Sequence, residues 1–411
     1  MIYQPPVGAR DLFPLDVAQK RWIEDRLQQV FHRWGYHRII TSTLERMDTL
    51  MAGGAVQRST VLQLQDGQNE ELGLRPELTA SIARAAVTRM AGATLPLRLY
   101  YTSNVFRRLG SSAFDRQQEF FQAGIELLGA GGVAADAEVL LLVADCLKTL
   151  HLQNCHLVLA EAGLTRSLFS SFPESIRDEV RGAIARLDRI GLESLPLSDE
   201  LRDRALLLLD LRGRPQDVLQ RVTSLDLTPQ QQSIVHNLKA LIDLLQESLA
   251  QAGTSSPTLV LDLSLIQTFD YYTGIVFEIV SDRASGRRVL GQGGRYDQLL
   301  GLYHPQGKAS PGVGFVFNIE DLHQTLLPSG HLPTQTPSAD WLVVPRSPQA
   351  YAAAFAHAQT IRTSTSLVRV ELELGVQQTP DTIRDYARDR GIPQLAWVDV
   401  DGTVSVEAIG S

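Results

Sequence analysis

Two stretches of this chain carry the same alternation, and that alternation limits what the chain can fold into. In EFFQAGIELL, residues 119–128, a strand period puts Gln122, Gly124 and Glu126 on one face and Phe121, Ala123 and Ile125 on the other. In QTFDYYTGIVFEIV, residues 267–280, it puts Asp270, Tyr272, Gly274, Val276 and Glu278 on one face. Phe269, Tyr271, Thr273, Ile275 and Phe277 take the other. The second face of each reads as core. The first is polar around a glycine, as a strand flooring a small-molecule pocket must be. The two glycines mark either such a floor or β-bulges.

Such strands need a sizeable core behind them, and the chain can supply one. It has 411 residues, 44% of them hydrophobic, which is enough for two or three domains. No uninterrupted apolar run reaches membrane-spanning length. The opening MIYQPPVGARDLF lacks a basic start followed by an apolar stretch, so no secretory signal is expected. Cys146 and Cys155 are the only cysteines, and their spacing does not suit a metal pair. They read as reduced packing residues in a cytoplasmic protein. The net charge is −8, which speaks against a surface that coats nucleic acid.

Residues 15–34 read as an amphipathic helix with Val17, Ile23, Leu27, Val30, Phe31 and Trp34 at helical spacing, stopped at Gly35. HRIITSTLE then reads as a strand, and RPELTASIARAAVTRMAGA as a turn into a helix. LRLYYTSNVFRR and EFFQAGIELLG are two strands of a hairpin with a long loop. Residues 136–150 form another helix with Asp136 as its cap. From about 164 to 250 the chain is helical and polar-rich, which reads as a helical insertion in an antiparallel α+β domain spanning 1–328. Residues 287–327 return to strand, turn and helix. Pro and Ser cluster in LPSGHLPTQTPSAD, so 329–339 is expected to be a linker. Residues 340–411 alternate as a small α/β unit.

Three more polar sets have pocket-like spacing. Glu77 and Thr79 lie two apart at a helix start, Gln122 and Glu126 share a strand face, and Arg107 and Arg108 end a strand. Each has a plain reading when taken alone. Glu126 on a half-buried strand reads as solvent-facing, because unpaired buried carboxylates are rare. Paired tyrosines read as core, and Arg107 as half of a surface ion pair.

Taken together, the motifs resemble histidyl-tRNA synthetase and its non-catalytic relatives. GARDLFP (8–14) resembles the family's opening segment, LRPELTA (74–80) its substrate loop, and NVFRR with QQEFFQAGIELLG the class II synthetase motif 2. TFDYYTGIVFE resembles the histidine-specific segment, while GGRYDQLLG and GVGFVFNIEDL resemble the glycine-rich segment and motif 3. The resemblance implies a class II synthetase-like antiparallel sheet flanked by helices, and a histidine pocket. Glu126 and Tyr272 would meet the imidazole. Glu77, Thr79 and Gln122 would surround the α-amino group, with Tyr271 and Arg107 alongside. An imidazole offers two nitrogens that a carboxylate and a phenol can satisfy, and a carboxylate binds an ammonium by a charge-assisted hydrogen bond.

The departures from the family pattern point to function. Gln267 stands where a working synthetase has an Arg, Leu109 where motif 2 has a Glu, and Asp321 where motif 3 has an Arg. The motif 1 Pro is Ser42. Adenylate formation stabilises charge at a transferring phosphoryl centre. A neutral amide and an aspartate do not do so, although Arg107 is retained. The pattern therefore resembles the ATP phosphoribosyltransferase regulatory subunit family. That resemblance implies no catalysis, no cofactor or metal, and a short catalytic phosphoribosyltransferase chain as partner. It implies feedback by histidine as effector, and a homodimer, formed through the first 50 residues, within a hetero-oligomer. A divergent histidyl-tRNA synthetase and a free-standing histidine sensor are the alternatives. Residues 340–411 resemble a shortened anticodon-binding domain. They hold six Arg, no Lys and nine acidic residues, which suits an interface or remnant better than an RNA surface.

Overall fold

The first long helix, α1 (Pro14–Arg33), shows why these residues fold as they do. Pro occupies its first turn, and Asp16 accepts the Phe13 N–H at 3.0 Å, satisfying one orphan donor. Ile23, Leu27, Val30 and Phe31 form a fully buried stripe. Gly35, with φ +78°, ends the helix in a conformation that disfavours other residues. The computed structural model describes residues 3–410 apart from 53, 55, 66–69, 109–116, 252–255, 266–270, 284–285, 366 and 376–378. It comprises two compact units, Met1–Pro333 and Thr334–Ser411.

The strand expected over 37–45 is broken in two. β1 (His37–Arg38) joins the main sheet and β2 (Leu44–Arg46) joins a smaller one. Arg75 is the cause, since its buried guanidinium donates to the Thr41 and Ser42 carbonyls at 2.9 and 3.2 Å and diverts the chain. After α2 (Met47–Met51), β3 (Gln63–Gln65) and β4 (Glu71–Leu74) complete the small sheet in the order β2-β4-β3. α3 (Thr79–Thr88) leads to β5 (Leu97–Phe106) and β6 (Glu119–Leu128), which pair antiparallel over their whole length as the hairpin reading requires.

α4 (Val133–Thr149) starts three residues earlier than expected, capped at Gly132. Asp136 is not its cap. The carboxylate instead accepts from Arg295 Nε and Nη2 at 2.9 and 2.7 Å in a buried ion pair. β7 (Cys155–Glu161) precedes a helical run: α5 (Ala162–Phe169), α6 (Glu174–Ala185), α7 (Arg189–Ser194), α8 (Asp199–Asp210), α9 (Pro215–Thr223) and α10 (Pro229–Gln251). A two-residue strand, β8 (Arg212–Gly213), interrupts it. The chain re-enters the sheet as β9 (Thr258–Asp262), β10 (Ile275–Arg283) and β11 (Gly286–Arg295). α11 (Leu299–Tyr303), β12 (Gly312–Asn318) and α12 (Ile319–Leu326) follow.

The main sheet has nine strands in the order β1-β5-β6-β12-β11-β10-β7-β9-β8. It is antiparallel except for β1–β5 and β7–β9. One face carries Ala123, Ile125, Leu157, Phe277, Phe315 and Phe317 against α1, α4 and the helical run. The opposite face carries Leu99, Tyr101, Val105 and Val276 with Leu78, Ile82 and Ala86 beneath α3. The second unit is a four-stranded sheet, β14-β13-β15-β16. Its elements are β13 (Trp341–Pro345), α13 (Tyr351–Ser364), β14 (Val370–Leu372), α14 (Pro380–Asp389), β15 (Gln394–Val398) and β16 (Val404–Ala408). The β13 pairings are parallel, and β15–β16 is a hairpin.

Candidate functional site

Strand register brings the polar faces together. Across the middle of the sheet Leu99, Glu126, Gly314, Gly294 and Val276 form one row, and Tyr101, Gly124, Val316, Gln292 and Glu278 form the next. Because side chains alternate, both rows face α3. The glycines make room. A Cβ on Gly314 would collide with the Glu126 carboxylate. One on Gly124 would stand 2.6 Å from the Tyr101 hydroxyl, and one on Gly294 2.7 Å from the Tyr272 ring. The pocket floored in this way is lined by all seven residues singled out above: Glu77, Thr79, Arg107, Gln122, Glu126, Tyr271 and Tyr272.

Glu126 is 1% exposed, so the solvent-facing reading of this residue fails. The reading assumed no partner, and two are present. The Thr79 hydroxyl donates to Oε1 at 2.7 Å and the Tyr296 hydroxyl donates to Oε2. Burial, the main cause, still pushes the Glu126 carboxyl up from 4.5 to about 8. Glu77 lies at the start of α3, where its oxygens accept the Thr79 and Ala80 N–H groups at 2.6 and 2.9 Å. Burial raises this carboxyl too, against those bonds. Thr79 thus spans two buried carboxyls. The Gln122 amide donates to Asn318 Oδ1 at 3.2 Å. Arg107 Nε donates to the Pro76 carbonyl at 3.1 Å, and its guanidinium lies 5.7 Å from the Phe120 ring centroid.

Tyr271 corrects the sequence reading. Strict alternation assigned it to the core face, opposite Tyr272. β10 begins only at Ile275, so residues 271–274 are not strand and the period does not apply to them. Both tyrosines reach the pocket, with ring centroids 4.7 Å apart, and Tyr296 stands edge-on to Tyr271 at 5.9 Å. From Ile275 onward the alternation holds, with Phe277 and Ile279 in the main core.

Tyr101, Gln292, Tyr296 and Gly314 also line the pocket, and sequence reasoning missed them. The signal was present: Gln292, Gly294 and Tyr296 repeat the polar–Gly–polar alternation of Gln122, Gly124 and Glu126.

Of the altered positions, Leu109 and Gln267 lie outside the described residues. Asp321 lines an adjoining cavity of about 240 Å³ that shares Arg107 with the pocket. Its carboxylate accepts from Arg288 Nη1 at 2.9 Å. Beside it Glu320 accepts the Phe121 N–H at 3.1 Å and lies 3.8 Å from Arg10. Two carboxylates therefore stand among the arginines of this cavity. No cluster of metal-ligating side chains occurs among the described residues.

The sheet, the glycine-floored pocket and the order of its motifs define a class II synthetase-type core. The family described as Histidyl-tRNA synthetase matches residues 8–322. A solved structure titled ATP phosphoribosyltransferase regulatory subunit/histidyl-tRNA synthetase, from Bacillus halodurans, superposes with a TM-score of 0.79 at 27% identity over 97% of each chain. A histidyl-tRNA synthetase from Nostoc shares the fold at a TM-score of 0.74 and 20% identity, covering 99% of this chain and 94% of that one. Relatives named ATP phosphoribosyltransferase regulatory subunit match over the full length of both chains. The one from Trichormus variabilis is 64% identical and the one from Gloeothece citriformis 58%. The chain belongs to the ATP phosphoribosyltransferase regulatory subunit family, and its role is regulatory rather than catalytic.

Proposed function

We propose that this chain assembles with a short catalytic ATP phosphoribosyltransferase chain, permits its activity in the first step of histidine biosynthesis, and carries histidine as feedback effector in the tyrosine-lined pocket. The observation that supports the pocket assignment is Glu126, fully buried, partnered by Thr79 and Tyr296, and shifted toward neutrality. A carboxyl that titrates at about 8 can accept from an imidazole N–H or donate to an imidazole nitrogen. Glu77 gives an α-ammonium a buried carboxyl neighbour. The adjoining cavity suits a sensor better than a synthetase. Asp321 holds Arg288 and Glu320 stands beside Arg10, so a triphosphate would have to compete with carboxylates already placed at two of this cavity's arginines.

Phe13, Ile40 and Leu44 are large apolar side chains left exposed in the first 50 residues, at 70%, 78% and 45%. They support a homodimer contact there within a hetero-oligomer. In this reading the acidic second unit is an interface or remnant domain. Two buried cysteines not joined in a disulfide fit a reducing, cytoplasmic compartment; among the described residues no helix is long and apolar enough to cross a membrane.

Calorimetric titration of the full chain with histidine tests the pocket. Glu126→Gln is expected to weaken binding about 10- to 100-fold, the scale of one hydrogen bond to a charged group. Unchanged affinity would move the effector site elsewhere, such as the subunit interface.

A further inference from the structure

The turn that carries the two pocket tyrosines is held from two sides. On one side is β11. The Thr273 N–H donates to the Arg295 carbonyl at 2.8 Å, and the Asp297 N–H donates to the Thr273 hydroxyl at 2.9 Å. Gly274 lies against the Arg295 side chain, where an added Cβ would be 2.9 Å from Cδ. On the other side is α5, the first helix of the run between β7 and β9. The Ala162 N–H donates to the Gly274 carbonyl at 2.9 Å, and Arg166 Nη1 donates to the Tyr272 carbonyl at 2.8 Å.

Nothing in the pocket chemistry requires Arg166. It does not line the cavity, and among the described residues no carboxylate accepts a hydrogen bond from it; Glu161, five residues back, is an acidic neighbour. Its charge is spent on a main-chain carbonyl immediately beneath Tyr272. α5 is itself firmly anchored. Glu161 caps it by accepting the Leu164 N–H, and Leu164 and Leu168 sit in the main core. Thr165 donates to the Leu263 carbonyl at 3.3 Å, and Gln231 of α10 donates to Ser167 at 2.8 Å.

We propose that Arg166 is a positioning residue of the pocket: it fixes the Tyr272 main chain from outside the cavity and thereby ties the ligand floor to the α5–α10 helical run. The side chain acts on the ligand only through Tyr272. Any ligand that presses on the tyrosines moves a carbonyl bonded to α5, so occupancy of the pocket is felt by α5 and, through Gln231, by α10. The effector half of this inference rests on the histidine reading above; the anchoring half does not.

The test uses the full chain with Arg166→Met, which keeps the stem and removes the donors, and Arg166→Lys, which restores one donor. Amide exchange and thermal unfolding are read without ligand, and affinity by titration with histidine. In Arg166→Met, exchange at 271–275 and at Ala162 is expected to quicken while the unfolding midpoint stays near wild type. Histidine affinity falls about tenfold, the scale of a charge-assisted hydrogen bond, and Arg166→Lys recovers most of it. Histidine slows exchange in α5 of the wild type and not of Arg166→Met. Unchanged exchange and affinity in Arg166→Met would overturn the proposal. So would a large drop in midpoint with exchange raised throughout the chain, which would make Arg166 merely structural. If the wild type binds no histidine, the effector reading fails on its own, and ligand-free exchange still decides whether Arg166 anchors the turn.

Discussion

At the scale of single residues, the pocket turns on a carboxyl that burial keeps close to neutral. The folded value for Glu126, about 8, lies above its ordinary 4.5, so across that window the folded chain holds a proton that the unfolded chain has released. The stability this group contributes is therefore fully present below the ordinary value and is lost as pH rises through about 8. Urea midpoints measured from pH 5 to 8 should fall with pH in the wild type and fall less steeply in Glu126→Gln. Parallel slopes would mean that Glu126 is ionised throughout. Gly314 makes the complementary point about shape. Gly314→Ala drives a methyl into the Glu126 carboxylate and the Ile125 carbonyl. It is expected to lower stability by about 1–3 kcal/mol, as overpacking does, and to abolish histidine binding. Calorimetry with urea unfolding checks both effects.

Among the elements, what the sequence made legible follows its periodicity. α1 and the β5–β6 hairpin each have a long, uninterrupted period, and each forms where that period runs. The readings that needed revision sit where a buried side chain overrides a local pattern. Arg75 bends the chain at Thr41 and Ser42, and no residue within 37–45 announces this. Asp136 reads as a cap because Asp favours caps, but a partner 159 residues away claims it. Tyr271 was assigned by alternation to a stretch that is not strand. The pocket residues on β6 were readable because both faces of that strand follow the period. Tyr296 carried the same pattern and lies just past the end of β11. The Asp136–Arg295 pair joins α4 to β11, and both side chains are nearly buried, at 12% and 7% exposure. Asp136→Asn leaves Arg295 with Asp297 and the Ala130 carbonyl and is expected to cost about 3 kcal/mol, near the lower end for breaking a buried pair. A loss of unfolding free energy, read from urea titration, of less than about a third of that would assign the link to packing instead.

For the molecule as a whole, the two units differ in what their sequences disclose. Residues 8–322 carry ordered motifs that match a family along their length, and several of those motifs meet at the tyrosine-lined pocket of the nine-stranded sheet. The surface that meets a partner leaves no such mark, because an interface need be no more apolar than the rest of a protein's surface. In the proposed reading the tyrosine-lined pocket offers a ligand its carboxyls, tyrosines and glycine floor, while in the neighbouring cavity Asp321 and Glu320 stand beside Arg288 and Arg10. Feedback then requires that histidine favour one state of the assembly, a coupling typically worth about 1–3 kcal/mol. The most direct measurement is phosphoribosyltransferase activity of the catalytic chain, assayed alone, with this chain, and with this chain plus histidine. The account predicts little activity alone, strong stimulation by this chain, and inhibition by histidine that weakens in Glu126→Gln. A catalytic chain fully active by itself, with no response to this one, would contradict it.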